Sequence, residues 1–170
     1  GMIHVSPLAT LGGSGSVGAV TVAGDGILSP GATASNHFTM QDLTLGNTSV
    51  LDVELDAPSP GVTLDSDYLM VSGNIVLDGV LMVSKRTVPG FGTPVLGDKW
   101  LLMNVGGSIT DQGLTVAPSA PALSPGLAYA IETDTSVPGF SGVYLAVVPE
   151  PGTAGLMILA ALLLGRRARA

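Results

Sequence analysis

One residue pattern decides the fold, and it occurs three times, at residues 19–28 (AVTVAGDGIL), 42–51 (DLTLGNTSVL) and 74–83 (NIVLDGVLMV). Each copy has aliphatic residues at alternate positions, a turn rich in Gly, Asn or Asp, and a second alternating run. This arrangement is typical of strand–turn–strand units. The copies are offset by 23 residues (Val20 to Leu43) and by 32 residues (Leu43 to Ile75). Repeats of this length cannot bury their own apolar face, so they predict a stacked solenoid.

The strand–turn–strand pattern becomes weaker after Val83, and the rest of the chain is not predicted to continue the repeat. Further strands are predicted at residues 99–105, 113–116, 127–133 and 142–148. Because an open β-edge invites aggregation, we expect these strands to close the stack. The predicted organisation is repeat coils over 1–83, a capping region over 84–148 and a separate C-terminal segment over 149–170. A β-sandwich is the alternative, since it shows the same alternation.

Composition supports an all-β chain rather than a disordered or helical one. Hydrophobic residues make up 46% and charged residues 11%, whereas disorder requires low hydrophobicity and high net charge. There are 24 Gly and 12 Pro among 170 residues, and both disrupt helix interiors. The sequence has no Cys, which excludes disulfides and thiolate metal sites.

Charge is unevenly distributed along the sequence. All 13 acidic residues lie at or before Glu150, while Arg166, Arg167 and Arg169 account for three of the six basic residues. Residues 1–150 therefore carry 3 minus 13, or −10. A surface of this sign repels phosphate backbones, so no nucleic-acid partner is expected.

The C-terminal segment has the features of a short membrane anchor. Fifteen uncharged residues, Pro151–Gly165, precede the arginine cluster. As a helix they would span about 22 Å, against about 30 Å of bilayer hydrocarbon, which favours a weak or transient anchor. The arginines predict a cytoplasmic C-terminus. A buried amphipathic helix with a basic tail is the alternative. The apolar positions of the predicted helix are Leu156, Met157, Ile158, Leu159, Leu162, Leu163 and Leu164.

Pro149-Glu150-Pro151, the hydrophobic run and the terminal Arg cluster occur in this order at the chain end. Together they resemble the PEP-CTERM sorting signal of Gram-negative bacteria. The resemblance implies processing by an exosortase, a membrane-embedded enzyme expected to cut near Pro-Glu-Pro. It also implies export, a transient inner-membrane intermediate, and then a place at the cell surface or outside the cell, with extracellular polysaccharide as a possible partner.

A second resemblance covers the repeats. Residues 15–22 (GSVGAVTV), 26–31 (GILSPG) and 67–74 (DYLMVSGN) are similar to autotransporter-associated β-strand repeats. This resemblance implies a right-handed parallel β-helix. Residues 1–7 (GMIHVSP) contain neither a basic region nor an apolar region of a signal peptide. An exported protein without its export signal is expected to be a C-terminal fragment.

Few residues in the sequence suggest a catalytic or metal-binding site. Asp52, Glu54 and Asp56 alternate on a predicted strand and would share one face, as would Asp65 and Asp67. The preferred interpretation is that these carboxylates form a solvated face of the strand. If they have a function, calcium binding is favoured over a glycosidase acid/base pair. His4 and His37, the two histidines, belong to no nucleophile or metal motif. We therefore expect no catalytic residues, no cofactor and no enzymatic activity.

Taken together, these features predict a noncatalytic exported surface or matrix protein, with a β-helical, adhesin-like stalk and a C-terminal sorting signal. The alternative is the C-terminal part of an extracellular polysaccharide-degrading enzyme, whose catalytic coils would lie upstream.

Overall fold

Five stacked coils and a terminal hairpin make up the part of the protein that the structure describes. The structure is a computed structural model that describes residues 1–31, 37–57, 62–63, 66–86, 91–137 and 140–152. Coil 1 consists of β1 (Ile3–Val5), β2 (Thr10–Gly13) and β3 (Gly15–Ser16); coil 2 of β4 (Val20–Val22), β5 (Ile27–Pro30) and β6 (His37–Met40). Coil 3 consists of β7 (Leu43–Leu45), β8 (Val50–Leu55), β9 (Val62–Thr63) and β10 (Tyr68–Val71). Coil 4 consists of β11 (Ile75–Leu77), β12 (Val80–Lys85) and β13 (Lys99–Val105). Coil 5 has β14 (Ile109–Asp111) and β15 (Thr115–Val116), and the hairpin has β16 (Leu127–Val137) and β17 (Phe140–Pro149).

The strands form three sheets, and each coil adds one strand to each sheet up to β13. Sheet A has the order β1-β4-β7-β11-β14, and sheet B has the order β2-β5-β8-β12-β15. Sheet C has the order β3-β6-β10-β13-β17-β16, with β9 also paired to β13. Every pair in sheets A and B is parallel. The predicted parallel solenoid is therefore confirmed, and the β-sandwich alternative, which requires antiparallel sheets, is wrong.

Strand register confirms both offsets read from the sequence. Val20 pairs with Leu43, and Leu43 pairs with Ile75, so each offset is the length of one full coil. The register places side chains of the same kind above one another. These inward columns include Val20, Leu43 and Ile75 in sheet A, Leu28, Leu51 and Leu81 in sheet B, and Phe38, Leu69 and Met103 in sheet C, all buried. Each such side chain contributes about 1.5–3 kcal/mol through burial.

Polar side chains hold the turn that leads into sheet A. The Asn74 N–H donates to Asp42 Oδ1 at 2.8 Å, one coil below it. The Ser108 N–H and hydroxyl donate to Asn74 Oδ1 at 2.9 and 2.8 Å, one coil further on. These short polar residues satisfy backbone groups that the turn leaves outside the strand ladders.

The end of the stack is covered by the region after β15. β17 pairs antiparallel with both β13 and β16. Leu123 and Tyr129 are partly buried and pack against the hydrophobic core. The strand predicted at 99–105 is found with those bounds, whereas β1, β2 and β14 were not predicted as individual strands. Parallel pairing continues beyond Val83 to Val116, and the division of the chain at residues 83 and 148 stays a prediction.

Beyond Gly152 the predicted C-terminal helix lies outside the described residues, as do its leucines and Arg166, Arg167 and Arg169. Within the described ranges, no helix is long and apolar enough to cross a membrane.

Candidate functional site

The carboxylates singled out in the sequence lie on and next to β8. Asp52 and Glu54 are at alternate positions of this strand, opposite Met82 and Ser84 of β12. Asp56 follows the last residue of β8. Glu54 is exposed, and Asp52 and Asp56 are partly buried, while the residues between them point into the core. The alternation therefore places Asp52 and Glu54 on the outer face of sheet B.

A single arginine contacts three carboxylates at the end of this strand. Arg86 Nη2 lies 3.0 Å from Asp67 Oδ1, Nη1 lies 3.4 Å from Asp56 Oδ2, and Nε lies 3.9 Å from Glu54 Oε2. Its backbone N–H donates to the carbonyl of Leu55 at 2.8 Å, which fixes the residue beside β8. We call Glu54, Asp56, Asp67 and Arg86 the Arg86 cluster.

Asp67 is the buried member of the Arg86 cluster, with a side chain only 6% exposed. Its Oδ2 accepts a hydrogen bond from the Glu54 N–H at 3.2 Å, and its own N–H donates to the Glu54 carbonyl at 3.1 Å. A Cβ at Gly31 would collide with this carboxylate, and Gly31 also has φ +82°. Position 31 therefore requires glycine for two reasons, space and backbone conformation.

Two buried side chains support the backbone at Asp56. The Asp56 N–H donates to Ser66 Oγ at 2.8 Å, and Trp100 Nε1 donates to the Asp56 carbonyl at 3.0 Å. Both Ser66 and Trp100 are fully buried. A buried polar group without a partner would be costly, so these bonds fix the backbone at Asp56.

Burial dominates the electrostatics of Asp67. Removal from water is the largest influence and raises the pKa of the Asp67 carboxyl. The charges of Glu54 and Asp52 act in the same direction, while the Glu54 N–H and the Arg86 guanidinium oppose it. Desolvation disfavours the charged form of an acid, which explains the direction.

The contacts of the Arg86 cluster fit a structural clamp. Arg86 neutralises carboxylates from coil 3 and ties the end of β12 in coil 4 to them. A cation at Glu54 and Asp56 would have to compete with this guanidinium. Among the described residues, no three His, Cys, Asp or Glu side chains are grouped so as to hold a metal ion. The calcium hypothesis for Asp52, Glu54 and Asp56 stays a prediction.

The Pro-Glu-Pro segment begins where the hairpin ends. Pro149 is the last residue of β17 and pairs with Leu127, and the Glu150 N–H donates to the Gly126 carbonyl at 2.9 Å. Pro149, Glu150 and Pro151 are all exposed. The segment predicted to be recognised by a processing enzyme is thus at the surface and directly joined to the folded hairpin.

Two shallow grooves flank the loop at residues 117–125. One, of about 590 Å³, lies between residues 83–85, 91–94 and 119–122. The other, of about 550 Å³, is lined by residues 116–118, 120–125 and 127–129 and by Glu150. Tyr129 donates its hydroxyl to the Pro121 carbonyl at 3.1 Å, and burial raises the pKa of this hydroxyl to about 12. Tyr129 therefore holds the loop in place and stays protonated.

Sequence reasoning missed Arg86, Ser66 and Trp100. Arg86 lies three residues beyond a predicted repeat and is the only arginine before Arg166, and an arginine in a region of few basic residues is a signal for an internal ion pair. Its partners lie 19 to 32 residues earlier, however, and only the stacking of coils brings them together.

Comparison with known proteins gives one similarity of interest, and no family model matches the chain. The chain is 32% identical over 96 residues to the adhesin BmaC autotransporter of Brucella suis biovar 1 (strain 1330). The aligned stretch covers 56% of this chain and 3% of that much longer protein. The chain is therefore similar to a small segment of an autotransporter adhesin.

Proposed function

We propose that this chain is part of an exported, noncatalytic surface protein in which the β-helix forms an adhesin-like stalk. The observation that carries the proposal is the stack of parallel coils together with the similarity to a segment of an autotransporter adhesin. Stacked coils extend a protein surface away from the point where the chain is attached to the cell, and they need few loops to do so. The Arg86 cluster fits this role, because its charges are used to join two coils.

We further propose that sorting depends on the C-terminal segment. Pro149-Glu150-Pro151 is exposed at the end of the hairpin, which is a position that a membrane-embedded processing enzyme could reach. The apolar run would hold the chain in the inner membrane for a time, and Arg166, Arg167 and Arg169 would keep the terminus on the cytoplasmic side. An exosortase is the proposed enzyme, and extracellular polysaccharide is the proposed environment of the mature protein.

Surface display is tested by expressing the full chain behind a cleavable secretion signal peptide in a host that carries an exosortase. We expect antibody labelling of intact cells and removal of the label by added protease. Retention of the protein in the cytoplasm would contradict the proposal.

Processing is tested separately by mass spectrometry of the mature protein. We expect loss of the residues beyond the Pro-Glu-Pro segment. Changing Pro149, Glu150 and Pro151 to alanine should abolish this loss while leaving membrane insertion intact. A matched control, Pro118→Ala with Ser119→Ala, changes exposed residues in the neighbouring loop and should be processed normally. Recovery of an intact Ala170 terminus as the main surface species would show an ordinary tail anchor instead.

A further inference from the structure

An uncharged part of the chain covers the end of the stack next to the Pro-Glu-Pro segment. Residues 112–131 contain no Asp, Glu, Lys or Arg. They include β15, the loop at residues 117–125 and the first residues of β16, so they run from sheet B across the end of the stack to sheet C. The exposed side chains of the loop are small and uncharged, and they belong to Pro118, Ser119, Ala122, Ser124 and Pro125.

Contacts within the protein hold this surface in place. Leu123 is partly buried against the hydrophobic core, and the Tyr129 hydroxyl donates to the Pro121 carbonyl at 3.1 Å. The Leu127 N–H donates to the Ser124 carbonyl at 3.2 Å, where the loop joins β16. The uncharged surface is therefore part of the fold and has a fixed position relative to the hairpin.

Carboxylates border the uncharged stretch on both sides. Asp111 precedes it, and its Oδ1 accepts hydrogen bonds from the N–H groups of Gly113 and Leu114 at 2.9 and 3.3 Å. Glu132 follows it, and its Oε2 lies 2.8 Å from Lys99 Nζ. These bordering charges are thus used in contacts within the protein.

The uncharged surface lies next to the point where the apolar run begins. The Glu150 N–H donates to the Gly126 carbonyl at 2.9 Å, and Glu150 lines a groove together with the loop. Leu156, the first leucine of the apolar run, is five residues beyond Pro151. Since a chain extends by at most about 3.5 Å per residue, these two residues are within about 17 Å of each other. Insertion of the apolar run in a bilayer would therefore bring the end of the stack close to the membrane surface.

Resting on the sorting function proposed above, in which the apolar run enters the inner membrane, we propose that the uncharged end of the stack lies against the bilayer surface while the chain is anchored. Bilayers that contain anionic lipids repel most of the protein, since residues 1–150 carry −10, but they do not repel a loop without charge. The exposed side chains of the loop are small, so the contact depends on the anchor, which keeps the loop at a high effective concentration beside the membrane.

This arrangement has two consequences for the proposed function. The coils before the loop would be directed away from the bilayer, as a stalk requires. Pro149-Glu150-Pro151 would lie at the level of the lipid headgroups, where the Glu150 carboxylate stays hydrated and a membrane-embedded enzyme can reach the chain.

The test uses single-cysteine variants of the full chain, which has no cysteine of its own. Ser119→Cys places an environment-sensitive NBD label on the loop, and Thr44→Cys places the same label at an exposed position of β7 in coil 3, as the matched control. Both proteins are reconstituted in vesicles of phosphatidylcholine and phosphatidylglycerol that carry a nitroxide-headgroup lipid. We expect blue-shifted emission and nitroxide quenching for the label at position 119, and neither effect at position 44.

Added charge provides a second test, with the NBD label at Ala122→Cys. Ser119→Glu with Ser124→Glu should abolish the blue shift and the quenching, because anionic lipids would repel the loop. Thr44→Glu with Ser72→Glu adds the same charge at exposed positions of coil 3 and should leave both signals unchanged. Unchanged circular dichroism and urea midpoints would show that the variants are folded.

Flotation of the vesicles separates this proposal from the proposed anchor. A chain that does not float with the vesicles has no anchor, which would overturn the anchor and the contact together. A chain that floats while the label at position 119 remains in water, as at position 44, would leave the anchor intact and overturn the contact alone. Quenching that survives both glutamates would also overturn the proposal, because the absence of charge would then not explain the contact.

Discussion

Arg86 joins coils 3 and 4 through its ion pairs with carboxylates of coil 3. Its side chain is 22% exposed and lies 3.0 Å from the buried carboxylate of Asp67. Replacing Arg86 by Met would leave that carboxylate buried without its cation, and we expect a loss of about 3 kcal/mol in the free energy of unfolding. Lys85→Met, which removes the same charge from an exposed neighbour, should change stability by less than about 0.5 kcal/mol. Urea denaturation of both variants measures the difference, and equal effects would show that Arg86 is not a clamp.

Asp67 should also make the pH dependence of stability unusual for a salt-bridged acid. Because burial raises the pKa of Asp67 in the fold, the folded chain binds this proton more tightly than the unfolded chain does. The resulting contribution is fully present below the unfolded pKa of about 3.9 and is lost as pH rises through the folded pKa. The stability of the native chain relative to Asp67→Asn should therefore increase between pH 7 and pH 4. A relative decrease in urea unfolding experiments would mean that Arg86 outweighs burial.

Ser49 lies in the turn between β7 and β8 and is fully buried, yet its hydroxyl has no hydrogen-bond partner among the described residues. A buried donor without a partner carries its full desolvation cost. Ser49→Ala should therefore raise the free energy of unfolding by about 1 kcal/mol. Ser84→Ala, at an exposed position of β12, is the control and should be neutral within about 0.5 kcal/mol. A thermal melt that places Ser49→Ala below the native chain would show that the hydroxyl is satisfied.

At the scale of elements, the hairpin is held by a contact across its outer face. The ring of Tyr144 occupies the space that a Cβ of Gly142 would need. Lys99 Nζ lies 4.7 Å from the centre of this ring and 2.8 Å from Glu132 Oε2. Gly142→Ala should displace the ring and destabilise the hairpin by about 1 kcal/mol. Amide hydrogen exchange in β16 and β17 measures this loss. In a Tyr144→Ala background the same substitution should cost nothing, and an equal cost in both backgrounds would exclude the ring as the cause.

Some strands could be predicted from the sequence, whereas other strands and the ion pairs of Arg86 could not. Alternating aliphatic residues identified β4, β7 and β11, because inward side chains repeat every two residues there. The coil 1 strand β3 consists of Gly15 and Ser16, which have no apolar side chain to give a pattern. The ion pairs of Arg86 depend on the positions of Asp56 and Asp67, which lie outside the strands, and the alternation of apolar residues within strands does not specify those positions. The carboxylates were therefore found, but not the arginine that joins them.

The whole molecule is expected to behave as a stack whose coils can be added or removed. Val20 pairs with Leu43, so residues 20–42 leave sheet A and return to it one level higher. Inserting a second copy of these 23 residues after Asp42 should continue all three sheets in register and bury another set of aliphatic side chains. Because solenoid stability is close to a sum of coil and interface terms, the melting temperature should rise. A Gly/Ser insert of the same length at the same place should lower it, since a long loop adds closure entropy without burial. If both insertions lowered the melting temperature equally, the 23-residue unit would not be an independent coil, and the stability of the stack would depend on the particular coils it contains.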